Sequence, residues 1–480
     1  LTKLYFIGIG GTAMGAVALA CRQLGFEVCG SDANIYPPMS DFLRESGIPY
    51  YEGFNGENII DAKPDMIVVG NSVSRGNPEL ECALDERMKL VSMPEIIRDY
   101  LIATNTSIVV SGTHGKTTTS SLTAWLLDSA GVNLGFLIGG IPGNYAQGCR
   151  PAPQLEHGYF VSEGDEYDTA FFDKRSKFLL YKPSIAIVNN LEFDHADIFS
   201  SLDDIKKSFR LFAQLIPRNG LLLAANEDAN VREIAAAAFS RVETFGLNED
   251  AFWRATDIDY TETGTSFSLV KNGSVLTRFT TTLFGEHNLK NTIAAIAVAL
   301  NIGISPETIQ QGLNTYKLPK RRLETVGVWR GCTVIDDFAH HPTAIAETLK
   351  TLRQKYTDSR IVACFEPRSN TTTRNIFQRE LPESFQNADI LCFGALNRPE
   401  RYGESERLNT ELIAEMLRAE GKMVQIISPE EGKNPNWGNQ IYSFLETNTK
   451  QNDVIVLLSN GDFGGLRALL KEDMLKQKTA

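Results

Sequence analysis

The stretch Ser107-Ile108-Val109-Val110-Ser111-Gly112-Thr113-His114-Gly115-Lys116-Thr117-Thr118 decides the fold. Its apolar, β-branched start predicts a strand over 107–110, and a helix is predicted over 118–130. Between them, the glycines let backbone N–H groups close around phosphate oxygens, and the helix N-terminus adds its positive dipole end. Lys116 is spaced to reach the β- and γ-phosphates of a nucleotide, and the Thr117 hydroxyl to ligate Mg²⁺. A full phosphate loop carries another glycine five residues before Gly115, where this chain has Val110. The loop is therefore the shorter Gly-Thr-x-Gly-Lys-Thr form. The bland alternative, a glycine-rich turn that binds nothing, leaves the flanking strand and helix unexplained.

Working outward, strands are predicted over 159–163, 185–189 and 220–224. A β-rich tract covers 251–283, with a hairpin turn at Lys271-Asn272-Gly273-Ser274. A helix follows from 287 to about 301. Upstream, a strand (4–8), a helix (15–24) and two strands (27–30 and 66–70) alternate as in a parallel sheet with covering helices. A polar reset around 101–106 gives a first boundary. The basic, proline-containing run Lys317-Leu318-Pro319-Lys320-Arg321-Arg322 gives a second. Beyond it, strands are predicted over 333–335, 361–365, 390–393, 424–427 and 454–458.

A chain of 480 residues is too long for one core. The expected architecture is α/β in three domains. A Rossmann-like domain spans 1–104, and a central P-loop ATPase-type parallel sheet with a small β element spans 105–317. A C-terminal Rossmann-like α/β domain spans 318–480.

Composition narrows the classes of function. The net charge of -12 argues against nucleic-acid or anionic-membrane partners, while leaving room for local basic pockets. Seven cysteines without a C-x-x-C pair suit a reduced, cytoplasmic protein. Residues 1–25 are broken by glycines and Arg22, unlike a secretory signal. No apolar run reaches the ~18 residues that read as a membrane span.

Other groups carry chemistry of their own. Gly8-Ile9-Gly10-Gly11-Thr12-Ala13-Met14-Gly15 reads as a dinucleotide-type turn, with NAD as one reading and Asp32 near a ribose. A hydride-transfer enzyme would leave the Lys116 loop without a purpose. Glu163 ends a strand and begins Glu163-Gly164-Asp165-Glu166, where carboxylate oxygens suit Mg²⁺. Asp165 and Glu166 themselves read as a solvated turn. Asn288 and Asn291, at a helix start, fit an adenine edge or an N-cap. Arg322 and Asp337 fit a triphosphate and a ribose, whereas Arg321 reads equally well as a solvated charge. Arg368, Ser369 and Asn370 follow a buried strand, where an arginine fork suits a carboxylate.

Taken together, four segments resemble the Mur ligases, in that family's order along the whole chain. They are Gly112-Thr113-His114-Gly115-Lys116-Thr117-Thr118-Thr119, Leu191-Glu192-Phe193-Asp194-His195-Ala196-Asp197, His287-Asn288-Leu289-Lys290-Asn291 and Asp336-Asp337-Phe338-Ala339-His340-His341-Pro342-Thr343. The resemblance implies an ATP-dependent ligase with ATP and Mg²⁺, joining an amine to UDP-N-acetylmuramate through an acyl phosphate. It implies Lys116, Glu163 and His195 as catalytic residues, with Thr117, Glu163 and His195 at the metal. ATP would meet Gly112, Thr113, His114, Gly115, Lys116, Thr117, Thr118, Asn288, Asn291, Arg322 and Asp337. The UDP-sugar would meet Gly10, Gly11, Thr12, Ala13, Met14, Asp32 and Ser72. Lys206 and Lys207 follow the His195 segment, but neither is assigned as a carbamylated lysine.

Two kinds of member share the Gly-x-Gly-Gly start. One adds L-alanine, and the other adds the tripeptide L-alanyl-γ-D-glutamyl-meso-diaminopimelate. The stretches at 31–40, 167–176 and Phe365-Glu366-Pro367-Arg368-Ser369-Asn370-Thr371 resemble the tripeptide-joining kind. So does Ser459-Asn460-Gly461-Asp462-Phe463-Gly464-Gly465, although Asp462 stands where a glycine is expected. That assigns Arg368, Ser369 and Asn370 to the incoming peptide, in a monomer or weak homo-oligomer.

Overall fold

The computed structural model describes residues 1–33, 35, 39–153, 157–261 and 263–479. Asn34, Tyr36, Pro37 and Pro38, part of the 31–40 resemblance, lie outside them. Three large sheets follow one another along the chain, with a small antiparallel pair, Asp168–Ala170 and Asp173–Ser176, beside them. The first is wholly parallel, in the order Tyr50–Glu52, Glu27–Asp32, Lys3–Ile7, Met66–Val69, Leu90–Ser92. The order reverses at Lys3–Ile7, so a crevice opens at that strand's carboxyl end, where the Gly8–Gly15 turn lies.

The central sheet has ten strands, and its middle carries the phosphate loop. Thr106–Ser111 lies between Ile185–Val188 and Tyr159–Gly164, parallel to both. Arg241–Gly246, too polar to stand out as a strand, pairs in parallel with both Leu221–Ala225 and Trp253–Thr261. The β-rich tract is therefore not a separate element. Trp253–Thr261, Gly264–Lys271 and Ser274–Thr281 extend the same sheet in antiparallel fashion. Their last turn has Asn272 at φ 47° and Gly273 at φ 82°, the left-handed pair that a two-residue hairpin of matching twist requires. At that edge, the Thr280 N–H donates to Gln310 Oε1 and the Gln310 amide donates to the Thr280 carbonyl, both at 2.9 Å.

In the third sheet, Ile361–Phe365, Ile390–Phe393 and Val454–Leu458 are buried along their whole length, as strands covered on both faces must be. Only Glu324–Trp329 runs antiparallel, against Cys332–Asp337. This sheet has its own apolar cores on its two faces, whereas one face of the first sheet shares a continuous core with the central sheet. Among the described residues, no helix is long and apolar enough to cross a membrane.

Candidate active site

The phosphate loop leaves Thr106–Ser111 and enters the helix Lys116–Ser129. Gly112 (φ 126°) and Gly115 (φ 82°) both lie in backbone regions that side chains rarely adopt. A Cβ on Gly115 would come within 2.9 Å of Asn189 and 2.8 Å of Asn291. The loop is thus an empty cradle packed from outside by two amides, which suits a bulky anion. Lys116 points across it. Its Nζ donates to the Gly112 carbonyl at 2.6 Å and to Glu166 at 3.0 and 2.9 Å.

Glu166 overturns the expectation of a solvated turn. It is only 3% exposed, and its second partner is His195, at 2.9 Å. Burial pushes its carboxyl up, but Lys116 and His195 outweigh burial and hold it below the ordinary value. For the same reason His195 is raised despite its burial, by the hydrogen bond it donates to Glu166. Asp165, likewise expected in solvent, pairs with Lys177 at 2.6 Å. The sequence gives no sign of this, because the burying partners stand far from 166 along the chain.

Glu163 sits beside the cradle. One carboxylate oxygen accepts from the Gly139 N–H at 2.6 Å. Burial raises its pKa, opposed by Gly139, Lys116, Arg322 and the Thr117 hydroxyl. A buried acid with a spare oxygen beside a threonine hydroxyl is the donor set that fits Mg²⁺ next to phosphates. Thr117 and Glu163 are thus brought together, while His195 in this arrangement is engaged by Glu166.

The C-terminal unit reaches the cradle. Arg322 Nη2 donates to Thr117 Oγ1 at 3.2 Å across the second linker. Asp337 is buried, and its carboxylate accepts from the N–H groups of Leu323 at 2.7 Å and Ala339 at 2.8 Å. It therefore shapes the linker that carries Arg322. Arg321 is not a solvated charge: it donates to the carbonyls of Ser459 and, at 3.2 Å, Gly461. Asn288 and Asn291 do not cap their helix, whose N-cap is Gly285. Both are buried, and Asn288 donates back to the Phe284 carbonyl at 2.9 Å.

The expected peptide segment meets the expected metal segment. Thr371 Oγ1 donates to Asp194 at 2.8 Å, and Asn370 Nδ2 donates to Asp197 at 3.0 Å. Ser369 turns into its own loop, accepting from the Thr372 N–H at 3.0 Å. Arg368 lies between Glu366 at 3.4 Å and Asp462 at 3.2 Å, and its side chain crosses the face of Gly461 where a Cβ would clash. The unexpected Asp462 is thus an ion-pair partner of the arginine.

A cavity of about 780 Å³ opens between the first and central units. Residues 10–14, Asp32 and Ser72 all line it, and Tyr167, Lys177 and Asp197 close it from the central unit. The Gly10 N–H donates to Asp32 at 2.9 Å, so Asp32 braces the turn. Asn71 and Lys177 carry no recognisable motif and emerge only from the assembled cavity, where Tyr167, the first residue of the 167–176 stretch, joins them.

Three family models match the chain in succession. They are described as Mur ligase family, catalytic domain (residues 3–103), Mur ligase middle domain (110–299), and Mur ligase, glutamate ligase domain (321–461). The chain is 36% identical over 484 residues to the UDP-N-acetylmuramate–L-alanyl-γ-D-glutamyl-meso-2,6-diaminoheptandioate ligase of Escherichia coli K12, covering 100% of the chain and 99% of that protein. It is 38% identical over 479 residues to the ligase of the same name from Haemophilus influenzae Rd, with 100% of each covered. Among solved structures, it is similar to a murein peptide ligase from Psychrobacter arcticus, with 33% identity, 99% of both chains covered and a TM-score of 0.73.

Proposed function

The chain belongs to the Mur ligase family, and from that premise we propose that it joins UDP-N-acetylmuramate to L-alanyl-γ-D-glutamyl-meso-diaminopimelate at the expense of ATP. The observation that carries the reading is the meeting of Arg322 with Thr117, at the mouth of the glycine cradle. It sets the C-terminal unit, with Arg368 on it, over the phosphate loop. Full-length similarity to the two tripeptide ligases supports the choice of acceptor.

In this reading the UDP-sugar lies in the cavity beside Gly10 and Ser72, with its lactyl carboxylate directed at the cradle. Lys116 leaves Glu166 for the β- and γ-phosphates of ATP, and the residues of the loop close on the phosphate oxygens. Thr117 and Glu163 would hold Mg²⁺, with His195 beside them, and the ion would supply charge neutralisation at the transferring phosphoryl group. A carboxylate oxygen attacks the γ-phosphorus and ADP leaves. The peptide amine then attacks the acyl carbon, loses a proton, and phosphate departs from the tetrahedral intermediate. Positioning supplies much of the acceleration, and closure keeps water from the acyl phosphate. Arg368 receives a carboxylate of the peptide. The domain limits 1–104, 105–317 and 318–480 and a cytoplasmic location belong to the same reading.

The test offers purified protein ATP, Mg²⁺ and UDP-N-acetylmuramate with either the tripeptide or L-alanine, and follows phosphate release. Turnover with the tripeptide and little with alanine is expected. Turnover with alanine alone would refute the acceptor. Lys116→Ala should abolish phosphate release with either amine, and full activity in that variant would sink the role of the loop.

A further inference from the structure

One cluster of side chains has no role assigned in the reaction above, where His114 serves only through the loop backbone that closes on the phosphates. His114 stands in the phosphate loop, Glu192 follows the strand Ile185–Val188, and His341 caps the helix Pro342–Lys355 of the C-terminal unit. Their ligand atoms all lie within 4.8 Å of one another. His114 Nε2 is 2.9 Å from Glu192 Oε2, and His341 Nδ1 is 3.4 Å from the same oxygen. The two imidazoles lie face to tilted face, with centroids 4.6 Å apart.

The position of the proton on His341 is the telling point. Its Nε2 faces the Phe193 carbonyl at 3.3 Å, and a carbonyl can only accept. Its Nδ1 accepts from the Thr343 N–H, also at 3.3 Å. Both bonds put the proton on Nε2 and leave a lone pair on Nδ1. Burial, with His114 adjacent, lowers the imidazole to about 4, so it is neutral. Glu192 is ionised, its burial outweighed by the hydrogen bond from His114. The His341 lone pair meets the Thr343 N–H, and the Nδ1 atom that bears it lies 3.4 Å from Glu192 Oε2, inside a seam where His341 is only 5% exposed. A cation drawn to the ionised carboxylate would take the Nδ1 lone pair in exchange for the long, 3.3 Å contact with the Thr343 N–H.

We propose that His114, Glu192 and His341 form a binding site for a borderline-soft divalent cation of the zinc type, bridging the central and C-terminal units. Two imidazoles and one carboxylate, with a fourth position left for water, match the ligand set such ions prefer over Mg²⁺. Around a tetrahedral ion with bonds of about 2.0–2.1 Å, neighbouring donors stand about 3.3 Å apart. The 2.9 and 3.4 Å edges are already close to that. On binding, His114 gives up its Nε2 proton and keeps or gains one on Nδ1. The Phe193 carbonyl and the Thr343 hydroxyl, which donates to Glu192 at 2.9 Å, orient the ligands from behind. None of the three ligands belongs to the Thr117, Glu163 and His195 set, so the ion is additional to Mg²⁺.

The test titrates Co²⁺ into metal-free, full-length protein at saturating Mg²⁺ and reads the visible d–d bands, with Zn²⁺ as competitor. One equivalent of Co²⁺, displaced by Zn²⁺, is expected. His341→Gln should weaken binding by about 100-fold and Glu192→Gln by at least about tenfold, in line with the dependence of metal sites on their ligand shells. Glu163→Gln should leave the bands unchanged. His341→Cys should retain Co²⁺ and add a near-ultraviolet thiolate charge-transfer band, which decides the matter even where His341→Gln folds poorly. No binding in the presence of Mg²⁺ would overturn the proposal. So would bands that survive His341→Gln undiminished, bands lost only in Glu163→Gln, or a folded His341→Cys protein without the new band.

Discussion

Glu166 shows what a single buried carboxylate does to a nucleotide site. It neutralises Lys116 before any phosphate arrives, and it shares the same oxygen pair with His195. Removing one charge from a buried, hydrogen-bonded cluster leaves the others uncompensated, so Glu166→Gln should lose about 3 kcal/mol of stability at pH 7 in urea unfolding. The pH dependence has a definite sign. The folded-state pKa of Glu166 is depressed below the ordinary 4.5, so the unfolded chain binds more protons in that window. The stabilisation is complete above pH 4.5 and is lost as pH falls through the depressed value. The gap between wild type and Glu166→Gln should accordingly narrow below pH 4.5, and a gap that stayed constant would refute this account. At this scale the sequence was legible where chemistry rests on a motif, as at Lys116 and Gly115. It was opaque where burial decides, because Glu166 sits in an acidic run that is locally indistinguishable from a surface turn.

Elements were legible in proportion to how their pattern met the physics of burial. The strands Ile361–Phe365, Ile390–Phe393 and Val454–Leu458 are continuous apolar runs, and a strand covered on both faces is continuous in just that way. Arg241–Gly246 has only three of its six residues buried, so the strand that links the small β element to the parallel part of the sheet had no apolar run to mark it. Turns were more telling, since Asn272-Gly273 can adopt its left-handed pair with little strain. The turn at Gly461 has the opposite requirement: it must lack a Cβ so that Arg368 can cross it. Gly461→Ala should displace Arg368 from Glu366 and Asp462. The expected result is a rise of about tenfold or more in KM for the tripeptide, with KM for ATP nearly unchanged. Equal effects on both substrates would point to a general disturbance of the C-terminal unit instead.

At the scale of the molecule, the C-terminal unit keeps its own cores and meets the rest through polar side-chain contacts, an arrangement suited to opening and closing. Thr371 to Asp194 is the most buried of these. Thr371→Val should remove about 1 kcal/mol from the closed arrangement, which corresponds to roughly a fivefold shift in population. Limited proteolysis in the 317–322 linker, with ADP and UDP-sugar present, should accelerate by about that factor. The contacts of Thr371 with Asp194 and of Asn370 with Asp197 were invisible in the sequence because each joins short polar runs more than 170 residues apart, with no periodicity to mark them. The central sheet meanwhile ends on Ser274–Thr281, whose outward backbone groups would invite another chain to add a strand. Gln310 answers both groups of Thr280 with its own amide, presenting to the edge the same donor and acceptor that a neighbouring peptide bond would. Gln310→Ala would uncover that pair, and sedimentation at rising concentration should then show stronger self-association than that of the parent chain. One side chain, imitating a piece of backbone, closes the open side of a ten-stranded surface to its neighbours.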